Sequence, residues 1–293
     1  MHSSPDSQTI PVRSRDALRL HAEAAGTGDT MLLCNGLFCS THYYGAWLEH
    51  FAPSWRVVQF DYRGHGRSDE PPHPDRVEMQ HLGHDAEDVL RATCPDPVVI
   101  VGHSMGVRIA LDLYCRVPHR VRALVLLCGS VYDSLGSVPS RFPMRHAVTG
   151  LLGLSDHLGP VAPWLKHKST KHDLVSAVGY WLGGLSRTLT PREPVQKLLR
   201  HVDRLDMQLI ASLGRSYIDH SAEHLLPRVR VPTLIVAGEK DLLAPPAHAH
   251  RVARKLSRAE VHVCSDCTHL APVEKPDEVH EVVGSFLSRN LGS

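Results

Sequence analysis

Pro97-Val-Val-Ile-Val-Gly-His-Ser-Met-Gly106 is an apolar run that stops abruptly at a glycine, a histidine, a serine and a second glycine. The run reads as a buried strand, and helical spacing begins at once, through Ile109, Leu111 and Leu113 to about Arg116. A strand that turns directly into a helix at Gly102-x-Ser104-x-Gly106 holds the serine in a strained backbone conformation. The glycines two residues either side leave room for strand and helix to approach. The hydroxyl is then held up at the end of a sheet, beside a helix N-terminus, which suits a nucleophile.

A serine hydroxyl is a poor nucleophile at neutral pH. It needs a base within hydrogen-bond reach and a third group to orient that base. In open α/β sheets functional residues collect at the carboxyl ends of the strands, so the partners are sought there. Asp241 follows the strand at 232–238, in Gly238-Glu-Lys-Asp-Leu-Leu-Ala-Pro245. His269 follows the last strand, at 259–264, in Ser265-Asp-Cys-Thr-His-Leu-Ala-Pro272. The order serine, acid, histidine is the one expected for this type of turn. Asp133, after the sixth strand, is a rival for the acid, and Asp241 is preferred to it.

The remaining elements fall into the same alternation. Residues 9–20 read as a hairpin around Ser14-Arg15-Asp16, and 30–34 as a buried strand ending in Asn35-Gly36. Trp47, Leu48 and Phe51 give a short helix its buried side. A strand at 56–60 runs into Asp61-Tyr-Arg-Gly-His-Gly-Arg-Ser68, followed by a helix at 78–93 and, after the opening stretch, a strand at 123–128. Helices are expected at 246–256 and 276–287. The pattern predicts an α/β fold with a mostly parallel eight-stranded sheet and helices on both faces. From 132 to 226 the strands stop, and two apolar stripes appear at helical spacing: one from Leu174 to Leu185, the other Val195, Leu198, Leu199, Val202 and Leu205. A helical block inserted over a strand end is a natural lid. The chain therefore divides into a first core part (1–131), the lid (132–226) and a second core part (227–293).

These residues carry a resemblance. From about 9 to 287 the sequence resembles the α/β-hydrolase superfamily, in its serine-nucleophile, esterase- and lipase-like branch. Four stretches bear it: Asn35-Gly36, Asp61 to Ser68, Gly102 to Gly106, and the Asp241 and His269 loops. The resemblance implies Ser104 as nucleophile, His269 as general base and acid, and Asp241 as the carboxylate that orients it. It implies an oxyanion hole from the backbone N–H groups of Leu37 and Met105, with Phe38 the other donor candidate. Two departures are that Asn35-Gly36 stands where the family usually has His-Gly, and Val107 where it usually has a small residue.

The implied reaction is acyl transfer through an acyl-enzyme, with no cofactor, on a carboxylic ester of a small or medium apolar substrate. Carbon-carbon bond hydrolases, lactonases, thioesterases and cofactor-free perhydrolases share the same three residues and are alternatives. The serine argues against aspartate-nucleophile branches such as epoxide hydrolases and haloalkane dehalogenases. A ligand receptor that kept the fold and lost turnover would be expected to have eroded at one of the three positions. Phe38, His103 and Trp181 are candidates for the substrate pocket, although packing is the commoner role for His103 and for the insertion aromatics Trp164, Tyr180 and Trp181. Asp61, Arg63, His65 and Ser68 match a family loop that holds a neighbouring turn together.

Composition narrows the remaining classes. At 293 residues, with 42% apolar residues, the chain can bury a sizeable core. Lys and Arg total 32 against 31 Asp and Glu, a net charge of +1 that offers no electrostatic reason to expect nucleic acid. No apolar run reaches the roughly eighteen residues that span a membrane, and the polar start lacks a signal peptide's pattern. Seven scattered cysteines suggest reduced thiols and a cytoplasmic protein. The chain is expected to be a monomer or a homodimer, since an apolar lid surface could support a dimer. The run Cys264-Ser-Asp-Cys267 with His269 could suggest a metal, but a zinc site takes four ligands and no second pair is spaced for it, so no metal is expected and Cys264 is assigned to the core. The 22 histidines should make solubility vary with pH without implying a metal.

Overall fold

The computed structural model describes residues 7–132, 185–186 and 188–292. Its eight strands are β1 (Gln8–Arg13), β2 (Arg19–Ala25), β3 (Thr30–Cys34), β4 (Arg56–Phe60), β5 (Val98–His103), β6 (Val121–Leu127), β7 (Thr233–Gly238) and β8 (Ala259–Cys264). They form one sheet in the order β1-β2-β4-β3-β5-β6-β7-β8. The β1–β2 and β2–β4 pairings are antiparallel, and every other pairing is parallel. The α-helices among the described residues are α1 (Gly45–Phe51), α2 (Met79–Thr93), α3 (Gly106–Arg116), α4 (Arg192–Val202), α5 (Met207–Asp219), α6 (Pro246–Ala253), α7 (Ala271–Glu274) and α8 (Pro276–Leu291), with short 3-10 turns between them.

The continuous apolar runs of the central strands follow from burial on both faces. Side chains alternate across a strand. On one face Leu32, Ile100 and Leu124 pack with Leu82 and Val89 of α2 and Ile109 and Leu113 of α3. On the other, Leu33, Val101 and Val125 pack with Trp47 and Phe51 of α1 and Val283 and Phe286 of α8. Each fully buried side chain of this size contributes about 1.5–3 kcal/mol of transfer free energy. The sheet is thereby a rigid platform, and the carboxyl ends of β3, β5, β7 and β8 present Asn35-Gly36, Ser104, Asp241 and His269 along one edge of it.

The described part of the insertion adds α4 and α5 and no strand. In α4, Val195 and Leu199 are buried, as the second apolar stripe anticipates. Helix α5 has no counterpart in the sequence reading. Asp206 caps its N-terminus by accepting from Gln208 N at 2.7 Å and Leu209 N at 3.1 Å. Leu209 and Leu213 are fully buried in the same core cluster as α2, so this stretch belongs to the body of the fold rather than lying over it. Arg108 of α3, itself buried, ties together the two ends of the insertion: Nε donates to Ser130 O at 2.9 Å, and the guanidinium also reaches the carbonyls of Tyr132, Tyr217 and His220. Leu174 to Leu182 of the first stripe, Asp133, Trp164, Tyr180 and Trp181 lie outside the described residues.

Candidate active site

Ser104 takes φ = 57°, the left-handed region that non-glycine residues seldom enter. The turn between β5 and α3 is so tight that no side chain fits beside it. A Cβ on Gly102 would lie 2.5 Å from Gly106 O, and one on Gly106 would lie 2.1 Å from Cys34 O. The strained φ stands Ser104 at the start of α3, half-buried rather than packed away.

His269 reaches it from the loop after β8. Nε2 is 2.7 Å from Ser104 Oγ, and Nδ1 is 2.9 Å from Asp241 Oδ2. Asp241, 1% exposed, is held by backbone: Oδ1 accepts from Leu243 N at 2.8 Å and Ala244 N at 2.9 Å. A carboxylate accepts only, so Nδ1 of His269 must carry the proton that faces it, which leaves Nε2 as the acceptor for the Ser104 hydroxyl. Burial lowers the proton affinity of His269, but the Asp241 carboxylate, with Glu274 behind it, more than offsets that and raises its pKa above the ordinary value. The arrangement can take a proton from Ser104 and stabilise the imidazolium that results.

The loop after β3 closes the other side. A Cβ on Gly36 would lie 3.3 Å from Ser104 Cβ, so this backbone runs directly past the hydroxyl-bearing residue. The N–H groups of Leu37, Phe38 and Met105 have no hydrogen-bond acceptor among the described residues. The loop is fixed from beneath. Asn35 Nδ2 donates to Phe60 O at 2.8 Å, Asp61 Oδ1 accepts from Thr41 N at 2.7 Å, and His65 Nε2 bonds Leu37 O at 2.7 Å. Arg63 pairs with buried Asp85 and with Asp16, while Ser68 Oγ donates to Asp61 O at 2.5 Å. The structural role read from the sequence for Asp61, Arg63, His65 and Ser68 is what these bonds describe.

Comparison with known proteins agrees with this architecture. The profile of the family described as "alpha/beta hydrolase fold" matches residues 29–157. The chain has the α/β-hydrolase fold. This hydrolase is 25% identical to the 2-hydroxymuconate semialdehyde hydrolase of Pseudomonas sp. (strain CF600), over 92% of this chain and 91% of that one. It is 26% identical to epoxide hydrolase 3 of Mus musculus, over 97% and 78%. Among solved structures, the esterase EaEST of Exiguobacterium antarcticum superposes with a TM-score of 0.80 over 96% of this chain and 100% of that chain, at 17% identity, a likeness of fold.

The other residues singled out in this α/β hydrolase take distinct positions. Phe38 is 38% exposed and lines a cavity of about 400 Å³ together with Cys39, Tyr43, Trp47, Lys197 and Val273. His103 does not line it. At 1% exposure it is stacked on Tyr43, with Nε2 3.1 Å from the His269 carbonyl. Burial, and then the neighbouring His269, push its pKa down to about 3, so it is neutral near pH 7. Packing, rather than a place in the substrate pocket, is therefore the role its surroundings favour, because a side chain beside the turn points back under the sheet end. Cys34 and Cys39 are buried thiols pushed up to about 12 by that burial, so neither is a reactive thiolate.

Cys264 and Cys267 are both fully buried, and His269 is engaged with Ser104 and Asp241 rather than with them. His262, Cys264 and Glu278 bring possible ligand atoms within 4.8 Å of one another, but His262 Nε2 is already bonded to Glu278 Oε1 at 2.8 Å. No helix among the described residues is long and apolar enough to cross a membrane. One residue escaped the sequence reading altogether. Glu274, in α7, is 8% exposed and bonds the loop that carries His269. A lone acidic residue in the short run Leu270-Ala-Pro-Val-Glu-Lys-Pro276 gives no periodic or motif signal.

Proposed function

We propose that the protein is a serine hydrolase that cleaves a carboxylic ester of a small or medium, partly apolar substrate through an acyl-enzyme. The observation that carries this reading is the unbroken hydrogen-bonded series from Asp241 through His269 to Ser104, ending on a serine in a left-handed turn. Ser104 is the nucleophile, His269 takes its proton and returns it to the leaving alcohol, and Asp241 holds the imidazole in the required tautomer. The N–H groups of Leu37 and Met105, with Phe38 the alternate donor, receive the developing oxyanion. Losing one such donor typically costs about a hundred- to a thousandfold in rate. Water activated by His269 then releases the acyl group.

The cavity beside Phe38 has Tyr43 and Trp47 in its lining, which supports an apolar part in the substrate, but Glu193 and Lys197 also line it and Ser104 and His269 do not, so it adjoins the reacting centre rather than containing it. Within residues 132–226, the part other than α5 serves as the lid over this side of the sheet, with Trp181 its candidate pocket residue, and the protein works in the cytoplasm without a cofactor.

Labelling with a fluorophosphonate probe tests the nucleophile. A stoichiometric adduct on Ser104 is expected, and its absence from folded protein would sink the assignment. Ser104→Ala and His269→Ala should each abolish hydrolysis of a short p-nitrophenyl ester at unchanged melting temperature. A panel of acyl lengths, lactones, thioesters and carbon-carbon substrates then separates ester cleavage, expected to be fastest, from the other chemistries that the same three residues support.

A further inference from the structure

Glu274 is a buried acid that makes no salt bridge among the described residues and is surrounded by hydrogen-bond donors from two directions. From the loop after β8, Thr268 N donates to Oε2 at 2.7 Å and Thr268 Oγ1 donates to Oε1 at 2.7 Å. From the insertion, Ser186 N donates to Oε1 at 3.0 Å and the Thr190 hydroxyl donates to the same oxygen. The insertion side is itself knitted, since Ser186 N also donates to Thr190 Oγ1 at 2.7 Å, and Leu189 between them packs on the core. Thr268 is the residue immediately before His269. One carboxylate thus joins the insertion just before α4 to the backbone that carries the imidazole.

We propose that Glu274 is a positioning residue that locks the seating of the insertion to the placement of His269, so that a shift in one is felt by the other. This rests on the reading of His269 as the general base. Four donors converge on two oxygens, and only a carboxylate of this length offers acceptor sites to all of them. An amide presents donors of its own on one side, and a shorter acid cannot span both loops. Nε2 of His269 sits 2.7 Å from Ser104 Oγ, and a displacement of about 1 Å in such a site can cost about a hundredfold in rate. The same carboxylate also favours the charged form of His269, behind the larger effect of Asp241. Among the described residues the titratable groups facing that imidazole are Asp241 from the loop after β7, His103 from β5 and Glu274 from α7.

The test uses Glu274→Gln, Glu274→Asp and Thr190→Val, each first shown to be folded by its melting curve. The ring of His269 is titrated by NMR in each, which needs no turnover. The pKa of His269 should fall in Glu274→Gln, where the negative charge is lost, and stay near wild type in Thr190→Val, where only the insertion bond is lost. An unchanged His269 titration in Glu274→Gln would overturn the inference. In parallel, hydrolysis of a p-nitrophenyl ester should lose at least about tenfold in kcat in all three variants, by the displacement argument above. In Glu274→Gln the acidic limb of the rate profile should move to lower pH.

Wild-type kcat in folded Thr190→Val would refute the link to the insertion, and wild-type kcat in Glu274→Asp would refute the need for reach. A wild-type protein that neither labels with fluorophosphonate nor hydrolyses the ester would instead reject the serine hydrolase reading, while the NMR titration would still decide the electrostatic coupling between Glu274 and His269.

Discussion

Asp241→Asn should disable the site through proton placement, with almost no change of shape. Asp241 Oδ1 accepts two backbone N–H groups, from Leu243 at 2.8 Å and Ala244 at 2.9 Å. In the variant those two donors must keep the side-chain oxygen, so the new amide nitrogen is forced into the Oδ2 position, 2.9 Å from His269 Nδ1. An amide N–H donates, so Nδ1 must become the acceptor and the ring proton moves to Nε2, 2.7 Å from Ser104 Oγ. The imidazole then offers the serine a proton where it should offer a lone pair. A tautomer swap of this kind costs about 10⁴ in kcat, or about 5.4 kcal/mol of transition-state stabilisation at 1.36 kcal/mol per decade. The assay is kcat on a p-nitrophenyl ester, with the melting temperature and the fluorophosphonate labelling rate measured beside it. Labelling should slow in parallel with kcat. A loss smaller than about tenfold would rule out this role for Asp241, and a larger loss from Asp133→Asn would transfer the role of the acid to Asp133.

Gly106→Ala should be among the most damaging single methyl groups in the chain, because its Cβ would meet Cys34 O at 2.1 Å between two rigid elements. A drop of more than about 4 kcal/mol in urea unfolding, or failure to fold, is expected, and near-wild-type stability would contradict the packing described. Asp85→Asn should cost about 1.5–3 kcal/mol, since it removes the buried carboxylate that accepts from Arg63 Nε at 2.8 Å and Nη2 at 2.5 Å while Asp16 still pairs with the guanidinium; a denaturant midpoint within error of wild type would argue against it. Burial holds His103 down to about 3 and His201 and His280 down to about 4, so the unfolded chain binds more protons as pH falls below about 6.5. Their contribution to stability is present above that value and is lost toward pH 4; burial also lowers His65, His84, His220 and His248, while the raised pKa of His269 works in the opposite sense for one residue against seven. The urea midpoint at about pH 5 should therefore lie below that at about pH 7.5, and an equal or higher midpoint would refute the balance.

Much of the sheet was legible because local chemistry dictates it. The run from Val98 to Val101 can only be a strand buried on both faces, and the observed split of alternate residues between the two core layers is what that pattern requires. Ser104, Asp241 and His269 stood out for a related reason, since each follows an apolar run that ends at a polar loop, and strand ends are where a parallel sheet presents side chains. Helix α5 was not legible, because Leu209 and Leu213 are buried by contacts with α2 and with the loop around Gly64, which lie more than a hundred residues away in the chain. His103 sits next to the serine in sequence, yet only the fold turns its ring onto Tyr43. Glu274 is the plainest case. As sequence it is one acid before a lysine and a proline; its four donors come from Thr268 on one side and from Ser186 and Thr190 on the other. By itself the sequence determined which elements form and which residues end them, because periodicity and turn chemistry act over a few residues. Tertiary structure alone decided which strand ends meet at Ser104 and which buried polar groups share a partner, because those distances are set by sheet order and packing across the whole chain.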